Sequence, residues 1–102
     1  MAVHHFTVTI SVTTSFQLSG TVTTPDPIKF IAVQADPANA GIVYLGGAET
    51  LSSTAYGVYI PKPVSTIPAA PIQLGTGNGF LSASEIYIVG TTTDKLHVLV
   101  VT

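Results

Sequence analysis

Ile28-Lys29-Phe30-Ile31-Ala32-Val33-Gln34-Ala35, then Asp36-Pro37-Ala38-Asn39-Ala40-Gly41, then Ile42-Val43-Tyr44-Leu45-Gly46 is the stretch on which the fold turns. Two apolar, β-rich runs flank a cluster of turn formers. Pro37 presets φ at the start of the turn, and Asn39 and Gly41 tolerate positive φ near its end. The spacer is longer than the tightest hairpin loops, so a type I turn or a bulge is expected. The reading is a hairpin with which the rest of the chain pairs, or over which it packs. Both faces of its first arm are apolar: Ile31, Val33 and Ala35 on one, Ile28, Phe30 and Ala32 on the other. Ile42 to Leu45 shows the same feature. Such strands are covered on both sides, inside a sandwich or at a subunit contact.

Upstream, Phe6, Val8, Ile10 and Val12 alternate with Thr7, Thr9, Ser11 and Thr13, the period of a half-buried strand. Either one bent strand runs over residues 3–23 or Thr13-Thr14-Ser15 divides it; the preferred reading is two strands, 3–13 and 16–22. Thr23-Thr24-Pro25-Asp26-Pro27 is a turn, because two prolines remove ladder donors. Downstream, residues 48–74 read as irregular. Within them residues 56–71, holding Pro61, Pro63, Pro68 and Pro71, read as a proline-rich extended loop suited to lie along a neighbour. Gly75-Thr76-Gly77-Asn78-Gly79 is a flexible turn and not a phosphate loop, since no GKS or GKT and no helix follows. Two strands close the chain, around Ile86-Tyr87-Ile88 and from Lys95 to Val101, joined by Gly90-Thr91-Thr92-Thr93-Asp94 as a short hairpin connection. No helical periodicity persists. The expectation is an all-β single domain over residues 1–102: a small antiparallel β-sandwich or barrel, jelly-roll or Ig-like, with about six to eight short strands and no substantial helix.

Composition limits the function. Of 102 residues, 46% are hydrophobic and only 8% charged, with net charge −2. An average soluble domain carries roughly 25% charged residues. So sparse a surface has little colloidal protection and suits a chain covered by neighbours. Without a basic cluster, neither nucleic acid nor an acidic membrane is an expected partner. No apolar run is long enough to span a bilayer, and Met1-Ala2-Val3-His4-His5 lacks a signal peptide's basic and apolar regions, so synthesis in the cytoplasm is expected. There is no cysteine, hence no disulfide and no thiolate metal site.

Nothing points to catalysis. Asp26, Asp36, Glu49, Glu85 and Asp94 are scattered, and Asp26, Asp36 and Asp94 fall in turns, where Asp caps its own backbone. His4 and His5 point to opposite faces of a strand, so with His97 they make at best a weak metal site; all three read as structural. No Ser lies in a G-x-S-x-G context and no His–Asp pair is suggested. The expectation is no enzyme, no catalytic residue, no cofactor and no metal. Tyr44 and Tyr87 read as core or sheet-face residues. Tyr56 and Tyr59 read as interface anchors, since tyrosine offers large area with a polar tip. The candidate interface is Tyr56, Val58, Tyr59, Ile60, Pro61 and Pro63. A sugar-stacking platform is the competing use of the two tyrosines.

Several segments together resemble small virion proteins of tailed bacteriophages: Phe16-Gln17-Leu18-Ser19, Val33-Gln34-Ala35 followed by Ala38-Asn39-Ala40-Gly41-Ile42-Val43-Tyr44-Leu45-Gly46, Ser84-Glu85-Ile86-Tyr87-Ile88-Val89-Gly90-Thr91, and Val98-Leu99-Val100. The order and rough spacing agree over most of the chain. The proline-rich insert at 56–71 departs from the pattern. The resemblance implies a head decoration or cement protein on the outer capsid surface, with the major capsid protein as partner and a homo-oligomer, trimer or dimer, as the assembled form. Alternatives are a tail, neck or fibre component, and a carbohydrate-binding or adhesin module facing the host.

Overall fold

A computed structural model describes residues 2–20, 28–48, 50–61, 71–74 and 82–102. Among these residues it holds eight strands: β1 (Val3–Thr9), β2 (Phe16–Gln17), β3 (Phe30–Ala35), β4 (Val43–Gly46), β5 (Val58–Ile60), β6 (Ile72–Leu74), β7 (Tyr87–Val89) and β8 (Lys95–Val101). Short 3₁₀ turns at Leu18–Gly20 and Ala83–Glu85 are the only helical pieces among the described residues. The strands form two antiparallel sheets, the first ordered β1-β8-β3-β6 and the second β2-β7-β4-β5.

The pairing follows a simple rule. The first strand pairs with the last, the second with the seventh, the third with the sixth and the fourth with the fifth. Such a chain is one long hairpin rolled up, and rolling adds the β3–β8 and β4–β7 contacts. This is the jelly-roll winding, and it settles the expected sandwich in favour of that topology over the Ig-like one.

Alternation decides which side of each strand is buried. Val8 from β1, Ile31, Val33 and Ala35 from β3, and Leu96, Val98 and Val100 from β8 face inward from the first sheet. Val43, Leu45, Ile60 and Ile88 meet them from the second. Ile10, Leu18, Ile28, Ala83 and Ile86 fill the ends of this core, with Phe6, Phe16, Val58 and Ile72 packed at its margin.

The expected hairpin of residues 28–46 does not form. β3 lies in the first sheet and β4 in the second, so residues 36–42 arch from one sheet to the other. The same holds for residues 90–94, which join β7 to β8 across the sandwich. The reason is polar, and it comes from residues far along the chain. The Asn39 side chain donates to the Lys95 carbonyl (2.9 Å) and accepts from the Lys95 amide (2.8 Å), tying the first arch to the start of β8. The buried Asp94 carboxylate accepts from the amides of Ala40 (2.8 Å) and Gly41 (3.0 Å). These bonds satisfy the amides of the first arch from the second arch, which a β3–β4 ladder would otherwise have to do.

Other boundaries move as well. β1 ends at Thr9 rather than 13, because the Ile10 amide donates to the Asp94 carbonyl (2.9 Å) and the chain then crosses to the second sheet. The strand expected over 16–22 is a two-residue strand followed by a 3₁₀ turn; residues 21 and 22 lie outside the described residues. The middle of the chain is not irregular throughout, since residues 58–60 and 72–74 are strands.

Candidate functional site

The site is best built from the outward faces of the two sheets. On the first, register places Val3, Val101 and Phe30 in one row and His5, Leu99 and Ala32 in the next. Val3 is 64% exposed and Leu99 39%. Further along the same face the rows turn polar, through Thr7, His97 and Gln34 to Thr9, Lys95 and Asp36. His97 Nε2 donates to Asp36 Oδ2 (2.8 Å), and its Nδ1 lies 3.3 Å from the Thr7 hydroxyl. Asp36 Oδ1 accepts from the Ala38 amide (2.8 Å), the expected turn role. That amide, then His97, holds the Asp36 carboxyl below the usual carboxylate range.

The second sheet turns a different chemistry outward. Tyr87 is the neighbour of inward-facing Ile88, and Tyr44 lies opposite Tyr59 between inward-facing pairs. The loop of residues 50–57 returns along the outside of this sheet. Its Leu51 is buried over Gly46, where a Cβ would meet Leu51 Cδ1 at 2.9 Å. The same loop lays Tyr56 against Tyr44 (centroids 4.9 Å apart) and edge-on to Tyr59 (6.0 Å). All four tyrosines of the chain are therefore on one outer face, and the core is aliphatic. Gln17 Nε2 donates to the Tyr87 hydroxyl (3.2 Å) and the Ser84 carbonyl (2.8 Å), locking that end of the face.

Beside the tyrosines runs an open trough of about 770 Å³. Thr13, Thr14, Gly41, Thr50, Ser53 and Thr91 line it, and Tyr44 closes one side. It lies where the β1–β2 link and the two arches converge with the 50–57 loop. A smaller hollow of about 340 Å³ shares Thr50 and Leu51 with it and is lined by Tyr56. No Lys, Asp or Glu is among the described residues lining either.

The expected interface divides. Tyr56 (46% exposed), Tyr59 (50% exposed) and the exposed Pro61 are on the surface. Ile60 is not: at 1% exposure it is core, facing Val43 across the β4–β5 ladder. Val58 likewise turns inward and packs at the core margin. Both corrections have one cause, the period of two in a strand where a loop was expected. Pro63 lies outside the described residues, as do Asp26 and Glu49.

His4 and His5 take opposite faces, as their adjacency in a strand requires. His4 turns inward and stacks on Phe6 (centroids 6.4 Å apart), whereas His5 faces out. The His97–Asp36 pair and the tie from Asp94 to the other arch were missed by the sequence reading. Their partners are 61 and about 54 residues apart, and no local pattern signals such pairs. Among the described residues no group of three His, Cys, Asp or Glu is placed to hold a metal ion, and no helix is long and apolar enough to cross a membrane. No protein-family model, curated protein or solved structure matches the chain.

Proposed function

We propose that this chain is a non-catalytic structural subunit of a tailed-phage virion, a decoration protein that docks on the outer surface of the major capsid protein as a homo-oligomer. One observation carries the reading: the outward face of the β1-β8-β3-β6 sheet groups Val3, Phe30, Leu99 and Val101 in a chain with 8% charged residues. Apolar side chains gathered on a flat sheet face gain about 25 cal/mol for each Å² that a partner covers. A shell that repeats one surface many times multiplies that gain without chemistry. Strand backbone already paired in the ladder has little entropy to lose on docking. The resemblance in the 33–46 and 84–91 segments points the same way. The proposal includes a trimer or dimer as the assembled form, and neither nucleic acid nor membrane as partner.

The test is co-sedimentation with heads from particles lacking this protein. Wild-type protein is expected to saturate the head in many copies spread over its surface. Val3→Glu and Leu99→Glu, which place charge on the apolar rows, are expected to abolish binding while keeping the melting temperature. Failure of the wild-type protein to bind heads, or binding unaffected by both charges, overturns the proposal. A single ring of copies at the neck selects the tail or neck reading instead.

A further inference from the structure

The geometry points to a second binding site, on the outward face of the β2-β7-β4-β5 sheet, that takes a neutral oligosaccharide laid along the trough and stacked on Tyr44, Tyr56 and Tyr59. It does not depend on the virion reading, since it concerns the opposite face of the sandwich.

Chemistry selects the ligand class. The described lining offers hydroxyls from Thr13, Thr14, Thr50, Ser53 and Thr91 but no Lys, Asp or Glu. Among the described lining residues no side chain would neutralise an anionic or cationic ligand as it gave up water there. A sugar ring presents hydroxyls around its rim and C–H groups on its flat faces. It needs short polar side chains beside an aromatic surface, and the trough adjoins one. A protein partner fits less well, because serine is depleted in protein interfaces and the patch centre here is a hydroxyl-rich hollow.

The platform is pre-organised. Tyr56 is held between Tyr44 and Tyr59 at 4.9 and 6.0 Å, and both Tyr56 and Tyr59 keep about half their surface exposed. Tyr44 lines the larger hollow and Tyr56 the smaller, so the ring cluster borders both. The loop that carries Tyr56 is stiffened by Ser52, whose Oγ accepts from the amides of Thr54 (3.3 Å) and Ala55 (3.2 Å), and by the Ser52–Ala55 backbone pair. Little freedom is left to lose on binding. The larger and smaller hollows share Thr50 and Leu51, so the site is extended and suits several linked sugars better than one.

The experiment is an array of neutral and acidic oligosaccharides probed with the free protein, followed by NMR titration with the neutral oligosaccharides retained. Retention of neutral but not acidic chains is expected, with amide shifts confined to residues 13–14, 41–44, 50–59 and 89–91. Tyr56→Ala and Tyr59→Ala are each expected to weaken binding about tenfold or more while the melting temperature holds. Retention of no neutral oligosaccharide, shifts on the β1-β8-β3-β6 face, or tyrosine variants that bind as wild type would overturn it. Loss of head binding in Tyr56→Ala without any glycan binding would assign this face to a protein instead.

Discussion

Asp94 sits at 3% exposure where the two arches touch, and its carboxylate closes the amides of Ala40 and Gly41. Removing it leaves two backbone donors without their acceptor. Asp94→Ala is expected to cost about 2–4 kcal/mol in urea unfolding, since hydrogen bonds to charged groups are worth about 1.5–3 kcal/mol and unsatisfied donors add to the loss. Gly41 is held as tightly: an added Cβ would collide with the Thr91 hydroxyl. Gly41→Ala is therefore destabilising, and Thr91→Ala in the same chain should return most of the loss, because it removes the colliding atom. At Thr93, φ is +76°, a left-handed conformation that β-branched residues avoid, held by the Thr93 amide donating to the Ile10 carbonyl (2.7 Å). Asp36 supplies the acid dependence. The Ala38 amide and His97 depress its carboxyl, with Lys95 adding a smaller effect. Its contribution is present above the unfolded carboxyl value of about 3.9 and is lost as pH falls through the lower folded value. Asp36→Asn should flatten the stability profile below about pH 4 relative to wild type, read as urea midpoints across that range.

At the scale of elements, β1 and β8 were legible because their side chains alternate with a period of two, Val8 and Leu96, Val98 and Val100 falling on the buried face. The arches were not, for a physical reason. A hairpin and an inter-sheet arch both need two β-rich arms around Pro, Asn, Asp and Gly, and both bury one face of each arm. What separates them here is where Asp94 and Asn39 send their hydrogen bonds, a choice made by residues more than fifty positions away. The two-sided apolarity of residues 28–35 was read as cover on both sides. The structure buries Ile31, Val33 and Ala35 fully and leaves Phe30 and Ala32 half-buried on an outward face. The proline count of residues 56–71 hid β5, a strand too short to show a period. Its register makes a sharp prediction. Ile60→Asp should cost several kcal/mol, because it buries a charge opposite Val43, whereas Tyr59→Asp should change stability by no more than about 1 kcal/mol. Equal effects in thermal unfolding would mean that residues 58–60 are not a strand. Of the candidate site, Tyr56 and Tyr59 read as interface anchors from the sequence, and the structure exposes both. Their gathering with Tyr44 was not legible, because it depends on the fold-back of residues 50–57.

At the scale of the molecule, a jelly roll with an aliphatic core places Val3, Phe30, Leu99 and Val101 on one outer face and the four tyrosines on the opposite one. One is aliphatic and graded toward a His97–Asp36 end; the other is tyrosine-rich and lined with hydroxyls. Few charges separate them, and a net charge of −2 gives weak repulsion between copies. Both features suit a subunit that lies flat on one surface and offers another. The most direct measurement is a cryo-EM reconstruction of the virion proposed to carry this chain. The account predicts an eight-stranded jelly roll repeated over the outside of the head, with Val3, Leu99 and Val101 against the shell and Tyr56 and Tyr59 facing solvent. A head bare of such density, or a jelly roll seated with its tyrosines against the shell and β1 outermost, would contradict it.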